Sequence, residues 1–139
     1  MHLAIKKLSA DAITPSHAHI GDAGLDFFSN ENVTILPNTR HPVATGISMI
    51  IPQGHVGLLW DRSGLAVKNG MTLLGGVIDS SFRGEIKIIM YNTGTEPLVI
   101  TKSMKIAQML IQPFAQCHIQ EVEELNETSR GDKGFGSTG

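Results

Sequence analysis

The apolar residues of this chain come in short β-branched or alternating runs that Gly, Pro or Asn interrupts at close intervals, which leaves little room for long helices. HPVATGISMIIP (41–52), HVGLLW (55–60), EIKIIMYN (85–92) and LVITKSMKIAQMLIQPF (98–114) carry the pattern. Alternation of this kind suits a pleated strand, whose successive side chains face opposite ways. PQG (52–54), SSFRGE (80–85) and NTGTEP (92–97) supply turn chemistry between the runs, with Pro fixing φ and Gly accepting φ > 0. The expected class is all-β, with hairpins arranged as a sandwich or barrel. One short helix is expected over SGLAVKN (63–69), with Ser63 as N-cap and Gly70 just past its end. In EIKIIMYN, Ile86, Ile88 and Met90 share one face and Lys87, Ile89 and Tyr91 the other. One face is expected to meet another sheet and the other a partner chain. Aromatics make up only 5%, so small aliphatics must build the core, which suits a β domain that borrows buried area from neighbours.

A length of 139 residues fits one domain. Eleven Lys plus Arg against thirteen Asp plus Glu give no broad basic field, so direct nucleic-acid binding is not expected and any phosphate site should be local. Cys117 is the only cysteine, which excludes an intrachain disulfide, a CxxC redox pair and a cysteine zinc site, and points to a reducing compartment. With no eighteen-residue apolar stretch and no signal-type apolar run near Met1, the expectation is a soluble cytoplasmic protein without a membrane partner. Composition turns polar and flexible after Glu121, so the expected division is a folded domain over 1–121 and a C-terminal arm over 122–139.

Chemistry-bearing residues cluster in a few places. DRSGLAVKNG (61–70) joins a cation, a hydroxyl and a glycine where a strand feeds the helix, which makes either a compact anion site or a capped turn. In LGGVIDSSFRGEIKIIMYN (74–92), Asp79 follows an apolar triplet and precedes a turn, where it either orients a water or closes an Asx-turn. Phe82 is an unusual turn residue, and Arg83 with Glu85 reads as a local ion pair or as solvated charges. GDAGLDFFS (21–29) sets Asp22 and Asp26 around a small Ala-Gly pair that lets backbone approach closely. Gln108, inside an apolar strand, needs a hydrogen-bond partner. His17 and His19 alternate in a loop with no third ligand at recognisable spacing, so no histidine metal site is expected. GxSxG, HExxH, Walker A and GxGxxG patterns in the right context are lacking.

Taken in order, AGLDFFS, DRSGLA, GGVIDSSFRGE, KIAQML and RGDKGFGSTG resemble the five motifs of the trimeric dUTP diphosphatase (dUTPase) family, over Ala23 to Gly139. The resemblance implies a distorted jelly-roll β-barrel of the dUTPase-like β-clip type, forming a homotrimer with active sites between subunits. It implies hydrolysis of dUTP to dUMP and diphosphate with Mg²⁺, which limits uracil incorporation into DNA and supplies dUMP for dTMP synthesis. By the same resemblance Asp79 activates the water that attacks the α-phosphorus, and Arg62, Ser63 and Gly64 hold phosphate oxygens. Asp26 acts on the waters around Mg²⁺ as an outer-shell group. Phe82 lies under the sugar and excludes a ribose. Gly76, Val77, Ile78 and Lys87 read uracil, and Gln108 supports the α-phosphate or the water. In the tail Phe135 stacks on uracil while Arg130, Gly136, Ser137 and Thr138 wrap the β- and γ-phosphates. Deaminases of dCTP share the fold but use a glutamate base, and the GVIDSSFRGE match with the complete Gly-rich tail favours the diphosphatase. The chain departs from the family at Asp61, a place often held by proline, which sets an extra carboxylate near the phosphate site. Ser103, Met104 and Lys105 also replace a frequent Gly-acid-Arg, and Phe82 a frequent tyrosine.

Overall fold

The computed structural model describes residues 1–134 and 136, and among these the apolar runs become eleven strands and one helix. The strands are β1 (Ala4–Lys7), β2 (Leu25–Phe28), β3 (Val33–Ile35), β4 (Arg40–Val43), β5 (Ile47–Ile50), β6 (His55–Trp60), β7 (Met71–Leu74), β8 (Val77–Ile78), β9 (Ile88–Asn92), β10 (Leu98–Ile100) and β11 (Lys105–Pro113). The helix, α1 (Ser63–Asn69), joins β6 to β7. All strand pairs are antiparallel. They form a four-stranded sheet β2-β11-β6-β8, a three-stranded sheet β4-β9-β7, and the pairs β1-β5 and β10-β3.

Local sterics divide the longer runs. Residues 41–52 split into β4 and β5 around Gly46, which sits at φ 67 with room for no side chain, since a Cβ would lie 2.8 Å from that of Ala12. Residues 98–114 split into β10 and β11 at a turn containing Ser103, itself at φ 71. The run at 85–92 starts its ladder only at Ile88. Upstream, Ile86 gives its N–H to the Ile47 carbonyl (2.8 Å) and accepts the Thr45 hydroxyl (2.5 Å), and the Glu85 carboxylate takes the Gly46 N–H (2.9 Å). These residues are thereby committed to the β4–β5 connection instead of to β7. Five strands, β1, β2, β3, β7 and β8, fall outside the four runs read as strands.

Alternation decides which side chains are buried. On β9, Ile88, Met90 and Asn92 are buried while Ile89 and Tyr91 are half-buried; Ile86 continues the buried row. In the four-stranded sheet Leu25 and Phe27, Gly57 and Leu59, and Ala107 and Met109 face inward. Among the described residues Phe27 is the one aromatic of the buried apolar side chains, which otherwise are Ile, Val, Leu, Met and Ala. Each fully buried side chain of this size contributes about 1.5–3 kcal/mol relative to exposure.

The helix differs from expectation at its start. Arg62, not Ser63, is the N-cap residue, with extended φ −93 and ψ 124, and no side chain caps the first turn. Ser63 is already helical, because the Arg62 carbonyl accepts the Ala66 N–H at 3.0 Å. At the other end Gly70 is left-handed (φ 64), as expected of a residue just past a helix. Its carbonyl accepts both the N–H (2.9 Å) and the hydroxyl (2.5 Å) of Thr93. No described helix is long and apolar enough to cross a membrane. On the surface, hydrogen bonding to Lys102 holds the Asp11 carboxyl below its ordinary range. That contribution is therefore present above the ordinary carboxylate range and is lost as pH falls through the lowered value.

Asn92, fully buried, joins three segments: its Nδ2 donates to the carbonyls of Ile35 (2.9 Å) and Glu96 (2.8 Å), and its Oδ1 accepts the Gly94 N–H (2.9 Å). Asn92→Ala leaves those groups unpaired and should lower unfolding free energy by about 3 kcal/mol, read from denaturant melts.

Candidate active site

The four-stranded sheet has a second face, and its alternation gathers the polar residues there. Gln108 pairs in register with Asp26 of β2 on one side and Trp60 of β6 on the other. Residues directly opposite in an antiparallel sheet present their side chains on one face, so all three stand away from the core. Arg62, two residues past Trp60 in extended backbone, returns to that face. Its guanidinium pairs with Asp26 Oδ1, while Lys105 Nζ lies 2.8 Å from Oδ2 and 5.9 Å from the centroid of the Phe28 ring. Asp26 is 6% exposed, so one carboxylate is held between two cations.

Asp26, Arg62 and Gln108 line a cleft of about 600 Å³ together with Ser63, Gly64 and Gly24. The cleft is as close-built as the Ala-Gly pair suggests: a Cβ on Gly24 would lie 2.2 Å from Gln108 Oε1. Gln108 finds the partner its burial requires, donating from Nε2 to the Asp61 carbonyl at 2.9 Å. Asp61 does not line the cleft. Its carboxylate, expected near the phosphate site, is instead bound on β7 by the Leu73 N–H (2.8 Å) and the Thr72 hydroxyl (3.0 Å). Asp22 also borders the cleft and accepts the His19 N–H (2.9 Å). Sequence reasoning passed over two cations here. Lys105 was noted only as a departure from pattern, and Lys68, in the last turn of α1, was not singled out although it faces the same cleft.

Asp79 is elsewhere. Ile78 pairs with Gly57 and Val77 with Leu58, so Asp79 falls level with Val56, at the end of β6 opposite Arg62. Six residues of extended chain, at about 3.3 Å each, put roughly 20 Å between those levels. Asp79 is exposed and its carboxylate makes no hydrogen bond among the described residues, whereas its carbonyl accepts the Phe82 N–H (3.1 Å) to close the turn. Of the two readings of Arg83 and Glu85, no ion pair between them forms among the described residues. Arg83 Nη1 instead donates to the carbonyls of Ser80 (2.7 Å) and Phe82 (2.8 Å), stapling the turn, while Glu85 holds Gly46. The Phe82 ring, 43% exposed, lies over Gly84, where a Cβ would come within 2.7 Å of the ring. Gly76 lies as tightly on β6, since a Cβ there would sit 2.7 Å from the Leu59 carbonyl oxygen, and Gly76 accepts the Leu59 N–H (2.8 Å). Exposed Lys87 stands 3.9 Å from Glu85.

No strand or helix is present beyond Pro113 in the described residues. Phe114, Ile119, Val122 and Leu125 are exposed apolar side chains along this segment. Arg130 folds on itself, donating from Nε to the Lys133 carbonyl (3.0 Å), and Gly136 is left-handed at φ 86. Phe135, Ser137 and Thr138 lie outside the described residues. One chain thus gathers Asp26, Arg62, Ser63, Gly64 and Gln108, and keeps Asp79, Gly76 to Ile78 and Phe82 on a separate hairpin.

Comparison with known proteins adds a direct constraint. The pattern of the dUTPase family matches residues 10–139. The chain is 52% identical to the deoxyuridine 5'-triphosphate nucleotidohydrolase of Clostridium kluyveri, over 100% of this chain and 99% of that protein. The corresponding protein of Clostridium novyi is 47% identical over the same shares. Among solved structures, the dUTPase of Staphylococcus bacteriophage 80alpha with dUPNHPP superposes with a TM-score of 0.92 at 31% identity, covering 99% of this chain and 98% of that one. A mutant dUTPase from phage phi11 of S. aureus, described for its coordination of a structural Mg(II) ion, gives 0.85 at 27% identity, covering 91% of this chain and 100% of that one. With the motifs, the all-β topology and these matches in agreement over the length of the chain, the protein belongs to the dUTPase family.

Proposed function

We propose that this protein is a dUTP diphosphatase that hydrolyses dUTP to dUMP and diphosphate at sites completed between the subunits of a homotrimer. The observation that carries the assembly is the separation of Asp79 from Arg62 along β6, roughly 20 Å within one chain at the rise of a strand. A triphosphate held by Arg62, Ser63 and Gly64 cannot then meet the Asp79 of the same chain, whereas a second copy can bring its own hairpin to the cleft. Trp60 (55% exposed), Val67 (86%) and Val77 (64%) lie between and beside these two half-sites, an apolar surface suited to contact with another copy. In this reading each subunit is a distorted jelly-roll β-barrel, and contact over such surfaces assembles three of them.

Asp79 is the base. Exposed and unpaired among the described residues, its carboxylate is free to take a proton from water as that water attacks the α-phosphorus. Phe82, braced by Gly84 and the Arg83 staple, forms a floor against which a ribose 2′-OH has no space. Gly76, Val77 and Ile78, with Lys87 across the hairpin, read uracil through backbone groups, and thymine's methyl and cytosine's amine are rejected by width and by unpaired partners. Arg62, Ser63 and Gly64 hold phosphate oxygens where negative charge develops, with Gln108 beside them. Residues 122–139 act as an arm that leaves its own body, and Arg130, Phe135, Gly136, Ser137 and Thr138 close over a neighbouring site.

The donor set fits Mg²⁺ at second hand. Among the described residues no three His, Cys, Asp or Glu side chains cluster to cage an ion. Asp26 has two of its roughly four lone-pair positions taken by Arg62 and Lys105, which leaves positions for the protons of metal-bound water, while two adjacent cations oppose direct ligation. Bound on the triphosphate, Mg²⁺ neutralises charge on its oxygens.

The decisive test is incubation of the purified protein with dUTP, dCTP, dTTP and UTP plus Mg²⁺. Diphosphate should appear from dUTP alone, and ammonia from dCTP without diphosphate from dUTP would overturn the assignment. Asp79→Asn should cut kcat by at least about a hundredfold, the span of a general base, while dUTP binding measured by calorimetry persists. Deleting residues 130–139 should lower kcat/KM by roughly tenfold or more, the loss of at least one charge-assisted phosphate contact, with an unchanged oligomer mass by light scattering.

A further inference from the structure

The proposed chemistry gives Asp61 no part, yet its side chain and carbonyl make three hydrogen bonds. Oδ1 accepts the Leu73 N–H at 2.8 Å, Oδ2 the Thr72 hydroxyl at 3.0 Å, and the carbonyl the Gln108 amide at 2.9 Å. β7 is the edge strand of its sheet, pairing only with β9, so the Leu73 N–H belongs to an open edge that would otherwise lack a partner. Asp61 fills that edge from the end of β6, tying the sheet β2-β11-β6-β8 to the sheet β4-β9-β7. Its bonds also join the two ends of the chain around α1, since Asp61 precedes the helix and Thr72 and Leu73 follow it.

A seven-residue helix has no stability of its own, so the place of its first turn depends on what fastens its ends. The far end is held by the two bonds from Thr93 to Gly70. The near end has no capping side chain; the Arg62 side chain is held by Asp26, and Asp61 fastens the backbone just before it.

We infer that Asp61 is a positioning residue for triphosphate binding: by clamping the β6–α1 junction to β7 it fixes Arg62 and Ser63 at the cleft. It does so without touching substrate. The inference rests on the assignment of Arg62, Ser63 and Gly64 to the phosphates, and it adds a residue whose carboxylate, by its charge alone, would oppose an anion.

The test compares affinities for dUPNHPP and for dUMP, which lacks the β- and γ-phosphates, in Asp61→Ala, Asp61→Asn, Thr72→Val and Arg62→Ala by calorimetry. Asp61→Ala should weaken dUPNHPP on the order of tenfold, about 1.4 kcal/mol, and dUMP by less than about twofold. Asp61→Asn keeps an acceptor for the Leu73 N–H and should retain affinity within about threefold. An unchanged dUPNHPP affinity in Asp61→Ala, or an equal loss for both ligands, overturns the inference. Should Asp61→Ala not fold, Thr72→Val, which removes one of the two side-chain bonds, carries the same comparison: a loss of about threefold selective for dUPNHPP supports the clamp, and equal or no loss overturns it. Arg62→Ala separates the two claims. Loss of dUPNHPP affinity there, with none in Asp61→Ala, removes the clamp alone, whereas no loss in Arg62→Ala removes the phosphate assignment and the clamp with it.

Discussion

The hydrogen-bonded ladder of β6 is the constraint on which both halves of the proposed site depend. Along one edge it pairs with β11 from Gln108–Trp60 to Pro113–His55, and along the other with β8 at Gly57 and Leu58. A one-residue slip in the first ladder would turn Gln108 into the core and bring Met109 out, because strand side chains alternate with period two. The buried pair Leu59 and Met109 fixes the register against that slip. Once the register is set, the polar face follows: Asp26, Gln108 and Arg62 converge at one end of β6, and Asp79 is held at the other. The distance between the half-sites is thus a property of strand rise, which no side-chain rearrangement can shorten.

Charge at the cleft is arranged against the average of the molecule. The chain carries a net −2, yet Asp26 is flanked by Arg62 and Lys105, with Lys68 on the same cleft. A low-exposure carboxylate between two cations does more to aim them than to stabilise the fold, since desolvation offsets much of the Coulomb gain. Its partners are only partly buried, so their remaining N–H groups stay available to an anion. Local positive charge on an acidic protein suits the phosphate of the proposed function, whereas a nucleic-acid backbone needs a continuous basic track.

The sequence made the strand class, the helix and its Gly70 end, and the family legible, because each has a local cause: alternation, turn chemistry or a motif. It did not make the short strands legible. β8 has two residues and β3 three, below the length at which a period can be recognised, and they exist only because β6 and β10 offer them partners. The Ser63 cap failed for a related reason. Arg62 is drawn to Asp26, thirty-six positions away, and its backbone takes the capping place that composition assigned to the hydroxyl. Asp61 went the same way, bonded to Leu73, which only the folded chain brings near.

Glycine shows most clearly what a motif conceals. In the motifs Gly24, Gly76 and Gly84 look alike, yet none needs a left-handed backbone; each is small because something else lies on it. A side chain would strike the Gln108 amide at the first, the backbone of β6 at the second and the Phe82 ring at the third, at 2.2, 2.7 and 2.7 Å. These three obstacles are groups assigned to phosphate support, to the placement of the uracil-reading hairpin and to sugar discrimination. At each of these glycines the absence of a side chain is what lets the neighbouring group lie where it does. Gly70 and Gly46, at φ 64 and 67, do the opposite task of turning the chain. Only the fold separates the two uses.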